Sequence, residues 1–268
     1  MSTTPTTTTA PAVLSAPHIA HACRSAGLAR DDIILVHASL SRLGYVAGGA
    51  ETMVRALLDV VGPDGTLMAP AQTWLNLDPS RDVHGLPNEA WSALREALPG
   101  FDPATTPSVG MGAVAEMIRV WPSARRSDHP ARSWAAIGAR AAEMVAQHDL
   151  HDVHGDASPL GAAERSGAKV LLAGVGYDKC TALHLAETRA DWSGKRWEED
   201  VSWVREDGGR REVTARSIAF RDDDFTTIGA AFEAGSHARR TALGDGEVAV
   251  FDVRDLVAFA VPWMEANR

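Results

Sequence analysis

The chain has 268 residues, of which 45% are hydrophobic and 23% charged, and this length and composition suit one large α/β domain. No apolar run approaches the ~20 residues that cross a bilayer, and the Thr-rich start lacks the basic and apolar regions of a signal peptide. The net charge of −9 argues against nucleic acid or anionic membranes as partners and is compatible with a cationic ligand. Two cysteines cannot make a disulfide framework, so we expect a reducing, cytoplasmic location.

Helices and strands alternate along the first 70 residues. Residues 1–14, rich in Thr, Pro and Ala, are expected to form a flexible tail, and residues 15–268 a single domain. Continuous apolar runs bounded by turn signals predict buried strands, and apolar residues at helical spacing predict helices. The patterns give a helix over 17–26, a strand over 33–36, a helix over 50–61 and a strand over 66–70.

A small, polar stretch follows the first buried strand. His37 lies at the strand's end, and the residues after it, Ser39 to Gly44, combine hydroxyl groups, Arg42 and a glycine. Backbone amides and a guanidinium there could cradle an anionic group, although the stretch lacks the spacing of a Walker A loop. A plain strand-to-helix connection is the alternative.

The stretch from residue 71 to 107 is too long to be an ordinary connection. Loops of this length inside a compact domain are usually functional. It carries acidic side chains that suit a polyamine, or that simply face solvent: Asp78, Asp82, Glu89 and Asp102. Beyond it, the patterns predict an amphipathic helix over 112–121, a short strand over 133–136 and a helix over 139–147.

Three histidines at HxxHxxH spacing suggest a metal site. They are His148, His151 and His154. Gly155 and Pro159 follow directly, which favours irregular chain over a helix that bears ligands, and no group is evident to orient the rings. A metal-dependent hydrolase built on these histidines therefore stays an alternative, and we predict no metal.

The segment from residue 168 to 190 holds the strongest candidate site of the chain. A buried strand over 168–175 runs into a glycine-rich turn and then a helix, for which Thr181 is the predicted N-cap. His184 and Glu187 lie three residues apart on that helix and so share one face. A histidine beside a carboxylate, just past the carboxyl end of a strand, is a candidate general base. An ordinary surface pair is the competing interpretation.

The last third of the chain predicts a hairpin and two helices. Alternating residues over about 196–220 surround the turn signal Asp207-Gly208-Gly209, and we expect this hairpin to extend the sheet at one edge. The acidic run from Asp222 to Asp224 precedes a helix over 225–234; a strand over 247–251 and a helix over 252–266 follow. The alternation of elements predicts an α/β fold, a three-layer α/β/α sandwich with a central mixed β-sheet.

Four stretches carry a pattern that occurs in one order along the chain: VHASLSRLG with GGAETMVRALLDVVGPDGTLMAP (36–70), FDPATTPSVGMGAVAEMIR (101–119), RRSDHPARSWAAIG (125–138) and GDASPLGAAERSGAKVLLAGVGYDKCTALHLAE (155–187). Together they resemble the aminoglycoside 3-N-acetyltransferase family, which is unrelated to the GCN5-type acetyltransferases. The resemblance implies transfer of an acetyl group from acetyl-CoA to the 3-amino group of a 2-deoxystreptamine antibiotic, and hence antibiotic resistance. Residues 191–268 match the family only loosely.

The resemblance also assigns roles to residues. It makes His184 the catalytic base and Glu187 its carboxylate partner. His37, at the end of its strand, is expected to line the same crevice and to assist or to help hold the thioester, ranked behind His184. It implies that acetyl-CoA is bound by Ser39, Leu40, Ser41, Arg42, Leu43, Gly44, Ser108, Arg126, Ser127 and His129. The expected wall for the polycation comprises Asp78, Glu89, Asp102, Glu116 and Asp224. Direct transfer without an acyl-enzyme is expected, because no GxSxG elbow is present.

Other functions remain open at this point. The region from Trp74 to Gly100 does not follow the better-known family members, so an amine other than an aminoglycoside is the main alternative substrate. A binding module for CoA or drugs without catalysis is a further alternative. The protein is expected to act as a monomer or a homodimer on a small molecule.

Overall fold

The computed structural model describes residues 13–235 and 237–268, and within them seven strands form one mixed sheet. The strands of this sheet are β2 (Ile33–Ala38), β4 (Thr66–Pro70), β5 (Arg125–Arg126), β6 (Trp134–Gly138), β7 (Lys169–Ala173), β10 (Arg239–Leu243) and β11 (Gly246–Asp252). Their spatial order is β10-β11-β7-β2-β4-β6-β5, and the central strands β7, β2 and β4 are parallel while the outer pairs are antiparallel. Two short pairs lie outside it, β1 (Val13–Leu14) with β3 (Tyr45–Val46) and β8 (Trp197–Glu206) with β9 (Gly209–Ile218).

Helices cover both faces of the sheet. Successive residues of the central strands alternate between two buried clusters, so Ile33 and Leu35 face one helical layer while Ile34 and Val36 face the other. The predicted three-layer sandwich is therefore confirmed. The helices are α1 (Ala16–Ser25), α2 (Leu40–Leu43), α3 (Gly49–Val61), α4 (Trp91–Ala97), α5 (Ala113–Val120), α6 (Ala141–Val145), α7 (Pro159–Arg165), α8 (Leu183–Arg189), α9 (Phe225–Ala234) and α10 (Val253–Asn267).

The carboxyl ends of β2 and β7 meet side by side, with Ala38 opposite Ala173. From there the chain leaves β2 toward the layer that contains α3 and leaves β7 toward the layer that contains α8. Gly174 permits the close approach: its φ is +65°, and a Cβ at this position would lie 2.7 Å from the carbonyl oxygen of Ser39. Diverging connections at adjacent strand ends open a crevice, which is the usual ligand site of such sheets.

The structure corrects three expectations about local elements. Val13 and Leu14 belong to β1, paired in parallel with Tyr45 and Val46, and Leu14 is buried; the rest of the predicted tail, residues 1–12, lies outside the described residues. The N-cap of α8 is Ala182 and not Thr181, because a 3₁₀ turn over Tyr177–Lys179 takes up the preceding residues.

The third correction concerns the hairpin of β8 and β9, which does not extend the main sheet. Both edges of that sheet are taken by β10 and β5. The hairpin pairs instead with the long stretch after β4, through bridges from Leu77 to Ser202 and from Phe101 to Val204. It thereby holds this stretch across the carboxyl ends of the central strands. Within the ranges described, no helix combines the length and apolar character needed to cross a membrane.

Candidate active site

A histidine and a carboxylate on α8 form a hydrogen-bonded pair at the crevice. The Nδ1 atom of His184 lies 2.8 Å from Oε2 of Glu187. The Glu187 side chain is fully buried, whereas that of His184 is 19% exposed and lines the crevice. The i,i+3 spacing on a helix brings the two groups together, as the sequence predicts.

The second oxygen of Glu187 is also engaged. Oε1 accepts a hydrogen bond from the backbone N–H of Arg221 at 2.7 Å and another from Nη1 of Arg268 at 2.9 Å. A cationic partner and a backbone donor both stabilise the charged form of a buried carboxylate. Since a carboxylate only accepts hydrogen bonds, Nδ1 of His184 is the donor in this pair, and in the neutral ring Nε2 carries the free lone pair.

Aromatic rings enclose the histidine on its other sides. The ring of His154 stacks on His184 at a centroid distance of 5.3 Å, and Phe220 and Phe225 contact it at 4.8 and 4.9 Å. His154 is buried, and burial, reinforced by the neighbouring His184, holds its pKa well below the usual value. A neutral ring therefore packs against His184 and restricts its orientation.

His37 lies at the end of β2 and lines the same crevice. Its side chain is buried, and Nε2 has no hydrogen-bond partner among the described residues. Burial lowers the pKa of His37 to about 4, and the neighbouring His184 acts in the same direction. His37 is thus a neutral ring beside His184 whose Nε2 is buried without a hydrogen-bond partner in the described structure.

The crevice has a volume of about 810 Å³, within the range of small-molecule sites. Its cationic lining comprises Arg42, Arg81, Arg132, Lys179 and Arg196, and its carboxylates are Asp178, Glu198 and Asp222. Cys180 also lines it, but burial raises the pKa of this thiol to about 12, which leaves it without nucleophilic thiolate.

The residues predicted to bind acetyl-CoA fall into two groups. Of the stretch from Ser39 to Gly44, Ser39 and Arg42 line the crevice, whereas Leu43 is fully buried in the core. Leu40 packs partly against the same core, Ser41 contacts the Ser39 hydroxyl at 3.3 Å, and Gly44 has a positive φ.

The other four residues predicted to bind acetyl-CoA, Ser108, Arg126, Ser127 and His129, contact neighbouring parts of the chain and do not line the crevice. Arg126 donates to the carbonyl oxygens of Ala71, at 2.6 Å, and Thr106, and so ties the long stretch to β5. Ser127 and His129 are buried, and the Ser127 hydroxyl contacts Nδ1 of His148 at 2.9 Å. Ser108 donates through its backbone and its hydroxyl to Glu116.

The five acids expected to bind a polycation also lie outside the crevice lining. Four are bonded to arginines of the chain, in the pairs Asp78–Arg95, Asp102–Arg205, Glu116–Arg119 and Asp224–Arg268. Glu89 belongs to an exposed 3₁₀ turn. The ion pairs leave these carboxylates little capacity for a ligand cation.

The three histidines at HxxHxxH spacing do not converge. His148 contacts the Val153 carbonyl oxygen at 2.9 Å and Ser127, His151 is exposed, and His154 stacks on His184. In the part of the chain that the structure describes, no group of three or more His, Cys, Asp or Glu side chains is placed to hold a metal ion. The geometry therefore gives a metal-dependent hydrolase no support.

Several lining residues were not predicted from the sequence. Arg132 lies between Trp74 and Phe220, with its Cζ atom 4.7 and 5.3 Å from the ring centroids. Lys179 follows the glycine-rich turn. The position of Lys179 just past a buried strand could have identified it as a crevice residue. Arg132, Trp74 and Phe220 lie in separate connections, and no local sequence pattern predicts that they contact one another.

Comparison with known proteins places this arrangement in a family. The model of the aminoglycoside 3-N-acetyltransferase family matches residues 35–265. The aminoglycoside N(3)-acetyltransferase VII of Streptomyces paromomycinus is 36% identical, over 89% of this chain and 87% of its own length. The crystal structure of YokD from Bacillus subtilis has a TM-score of 0.91 at 32% identity and covers 97% of this chain and 96% of YokD. A structure described as AAC-IIIb in binary complex with CoASH has a TM-score of 0.86 at 31% identity and covers 95% and 97% of the two chains.

The fold and these relatives define the protein as an acetyltransferase. The chain belongs to the aminoglycoside 3-N-acetyltransferase family. The resemblance read from the sequence motifs is thereby confirmed at the level of the family.

Proposed function

We propose that the protein transfers the acetyl group of acetyl-CoA directly to an amine, with His184 as general base. The observation that carries the proposal is the hydrogen bond between His184 and the buried carboxylate of Glu187 beside the crevice. The pairing leaves Nε2 with a lone pair on the open side of the ring, where it can accept a proton.

The proton and electron balance needs no further reactant. The amine nitrogen forms a bond to the carbonyl carbon of the thioester, and the carbon–sulfur bond breaks. The proton of the attacking amine goes to Nε2 of His184, and Glu187 stabilises the imidazolium. His184 then returns the proton to the departing sulfur, so the products are the amide and free CoA thiol.

The crevice residues suit acetyl-CoA as the acyl donor. Arg42 and Lys179 offer positive charge to phosphate groups, and Ser39 and Gly112 border the same space. His37 lines the crevice beside His184 and is a candidate to assist the transfer. The CoASH complex of the similar AAC-IIIb supports the same choice of donor.

An aminoglycoside is the first candidate for the amine. The family description and the name of the Streptomyces paromomycinus relative indicate acetylation of the 3-amino group. Asp222 fits such a ligand, because it lines the crevice, is exposed and makes no ion pair with another described residue.

The charge of the crevice favours a second candidate, an amine that carries few positive charges. Glu198 is paired with Arg81 at 2.9 Å and with Arg196 at 3.3 Å, and Asp178 is paired with Lys179 at 3.3 Å. Only Asp222 among the three lining carboxylates of the described chain is left for a ligand. A polycation whose ammonium groups are desolvated needs several carboxylates.

Arg132 adds to this imbalance close to the base. Its Cζ lies 5.3 Å from the Phe220 ring, and that ring lies 4.8 Å from His184, so the guanidinium is within about 10 Å of the base. Its Nε has no partner in the described structure, and its Nη2 contacts Asp200 at 3.4 Å. An amine with a carboxylate or another anionic group near the reacting nitrogen could pair with it.

Release of CoA thiol tests the function and separates the two candidates. Wild-type protein is incubated with acetyl-CoA and, one at a time, gentamicin, kanamycin, apramycin, benzylamine and an ω-amino acid. Thiol release that depends on an amine supports the function. Turnover of the antibiotics alone selects the first candidate, and turnover of the small amines alone selects the second. Bound acetyl-CoA with no release from any of these amines would contradict both candidates as stated.

A further inference from the structure

We propose that Arg268, 81 residues away from Glu187 in the sequence, is a positioning residue of the active site. It keeps Glu187 ionised and oriented, and thereby holds His184 in the tautomer that accepts a proton at Nε2. The inference rests on the proposed role of His184 as the base. Arg268 itself contacts neither the crevice nor His184.

Hydrogen bonds and burial fix the Arg268 side chain beside Glu187. Its side chain is 1% exposed and donates from Nη1 to Glu187 at 2.9 Å. Nε and Nη2 donate to the two carboxylate oxygens of Asp224, at 2.8 and 2.7 Å, and Cζ lies 5.1 Å from the ring centroid of Trp192. A planar fork held on one side by Asp224 presents its remaining donor to Glu187 in a fixed direction.

Glu187 needs this charge because it is fully buried. Burial alone favours the neutral carboxylic acid. When His184 is neutral, the other nearby cationic side chains do not form an ion pair with Glu187. Arg221 contacts Glu187 through its backbone N–H, and the Lys195 ammonium donates to the carbonyl oxygens of Thr188 and Ala190. Within the described residues, Arg268 is therefore the side-chain cation bonded to Glu187 throughout the reaction.

Loss of the charge has a specific chemical consequence. A protonated Glu187 would donate its own hydrogen to Nδ1 of His184, since the two atoms are 2.8 Å apart. The ring would then carry its proton on Nε2, the atom that must accept a proton from the amine. The histidine would keep its position and lose its function as a base, as a misplaced tautomer does in other histidine-dependent enzymes.

The test compares R268Q, R268K and a matched control, R189M. Gln keeps a hydrogen-bond donor and removes the charge, whereas Lys keeps the charge and loses the fork. Arg189 lies on α8 with His184 and pairs with Asp156 and Glu164, and it has no ion pair with Glu187 in the described structure. Steady-state kinetics give kcat and KM for acetyl-CoA, and ¹⁵N NMR of labelled histidine, assigned with H184N, gives the tautomer of His184.

We expect R268Q to lower kcat roughly 10–100-fold, as loss of an orienting partner does elsewhere, with KM for acetyl-CoA unchanged and the His184 signal moved to the Nε2–H tautomer. R268K should keep the Nδ1–H tautomer and recover part of kcat. R189M should match the wild type in both measurements.

Two results would overturn the inference: a wild-type kcat in R268Q, or a fall in kcat while His184 keeps the Nδ1–H tautomer. Should R268Q fail to fold, R268K and D224N provide the same comparison. D224N is expected to lower kcat because it removes the carboxylate that holds the Arg268 guanidinium in position. The NMR measurement needs no substrate. If the wild type releases no CoA, the proposed function fails while the effect of Arg268 on the tautomer is still decided.

Discussion

The imidazole ring of His154 lies parallel to that of His184, with the ring planes 12° apart and the centroids 5.3 Å apart. Nδ1 of His154 is buried without a hydrogen-bond partner in the described structure. The contact is therefore one of packing and not of hydrogen bonding, and the His154 ring is a platform that restricts the rotation of the His184 ring.

The first prediction follows from this platform. H154F keeps a flat ring and removes the unpartnered nitrogen, whose burial costs about 1–3 kcal/mol, so its free energy of unfolding should equal or exceed that of the wild type, with kcat little changed. H154A leaves a cavity and should lose roughly 2–4 kcal/mol, together with much of kcat. Urea unfolding and CoA release measure both quantities. A large loss of kcat in H154F would show that the ring nitrogen itself is used.

Glu187 is expected to act on the base and not on the binding of substrates. In E187Q, the amide can donate to Nδ1 of His184 and so favours the wrong tautomer, while Arg268 remains paired with Asp224. We predict that kcat falls by about 10²–10⁴-fold, the usual contribution of general-base catalysis. KM for acetyl-CoA should change little. A variant with normal kcat and a raised KM would instead place Glu187 among the binding residues.

Buried neutral histidines should make the protein sensitive to mild acid. Burial lowers the pKa of both His37 and His148 to about 4, whereas a histidine in the unfolded chain titrates near 6.5. Between those values the unfolded state binds protons that the native state does not, so the free energy of unfolding falls as pH drops below about 6.5. Each such histidine contributes up to about 1.4 kcal/mol per pH unit.

Urea unfolding at pH 7.5 and 5.5 measures this effect. Carboxylates with a lowered pKa, such as Glu116, lose their contribution to the free energy of unfolding only below about pH 4.5, so they do not affect the comparison between pH 7.5 and 5.5. H37L should show a smaller loss between the two pH values than the wild type, by about 1.4 kcal/mol. Equal stability of the wild type at both pH values would show that the pKa values of these histidines are not lowered in the native state.

Three adjacent aspartates in different environments test how a carboxylate at the crevice affects the binding of a charged substrate. Asp222 lines the crevice without an ion pair in the described structure, Asp223 pairs with Arg221 at the surface, and Asp224 pairs with Arg268. For a polycationic amine, D222N should raise KM about two- to fivefold, as expected for one exposed ion pair, and D223N should change nothing. D224N should lower kcat instead. An equal rise of KM in all three variants would mean a diffuse effect of charge.

The layers of the fold and the strand ends could be predicted from the sequence because they depend on local patterns. Apolar runs such as Ile33 to Val36 identify strands that are buried on both faces, and the glycine at Gly174 identifies the turn into the site. The pairing of His184 with Glu187 depends only on helical spacing, so it too is legible in the sequence.

The surroundings of the pair were not legible, because they depend on contacts between distant residues. Arg268, His154 and Phe220 reach Glu187 and His184 from three separate parts of the chain. The acids of the long stretch illustrate the same limit. A carboxylate such as Asp78 can bind a ligand or an arginine of its own chain, and only the structure shows that Arg95 takes it.

The rate of CoA thiol release by H184N, compared with the wild type, tests the central claim most directly. Acetyl-CoA binding is measured on the same preparations by calorimetry, with an amine that the wild type turns over. We predict that H184N binds acetyl-CoA as the wild type does and releases thiol at least about 10²-fold more slowly. A variant that binds acetyl-CoA normally and keeps the wild-type rate would contradict the claim that His184 is the base.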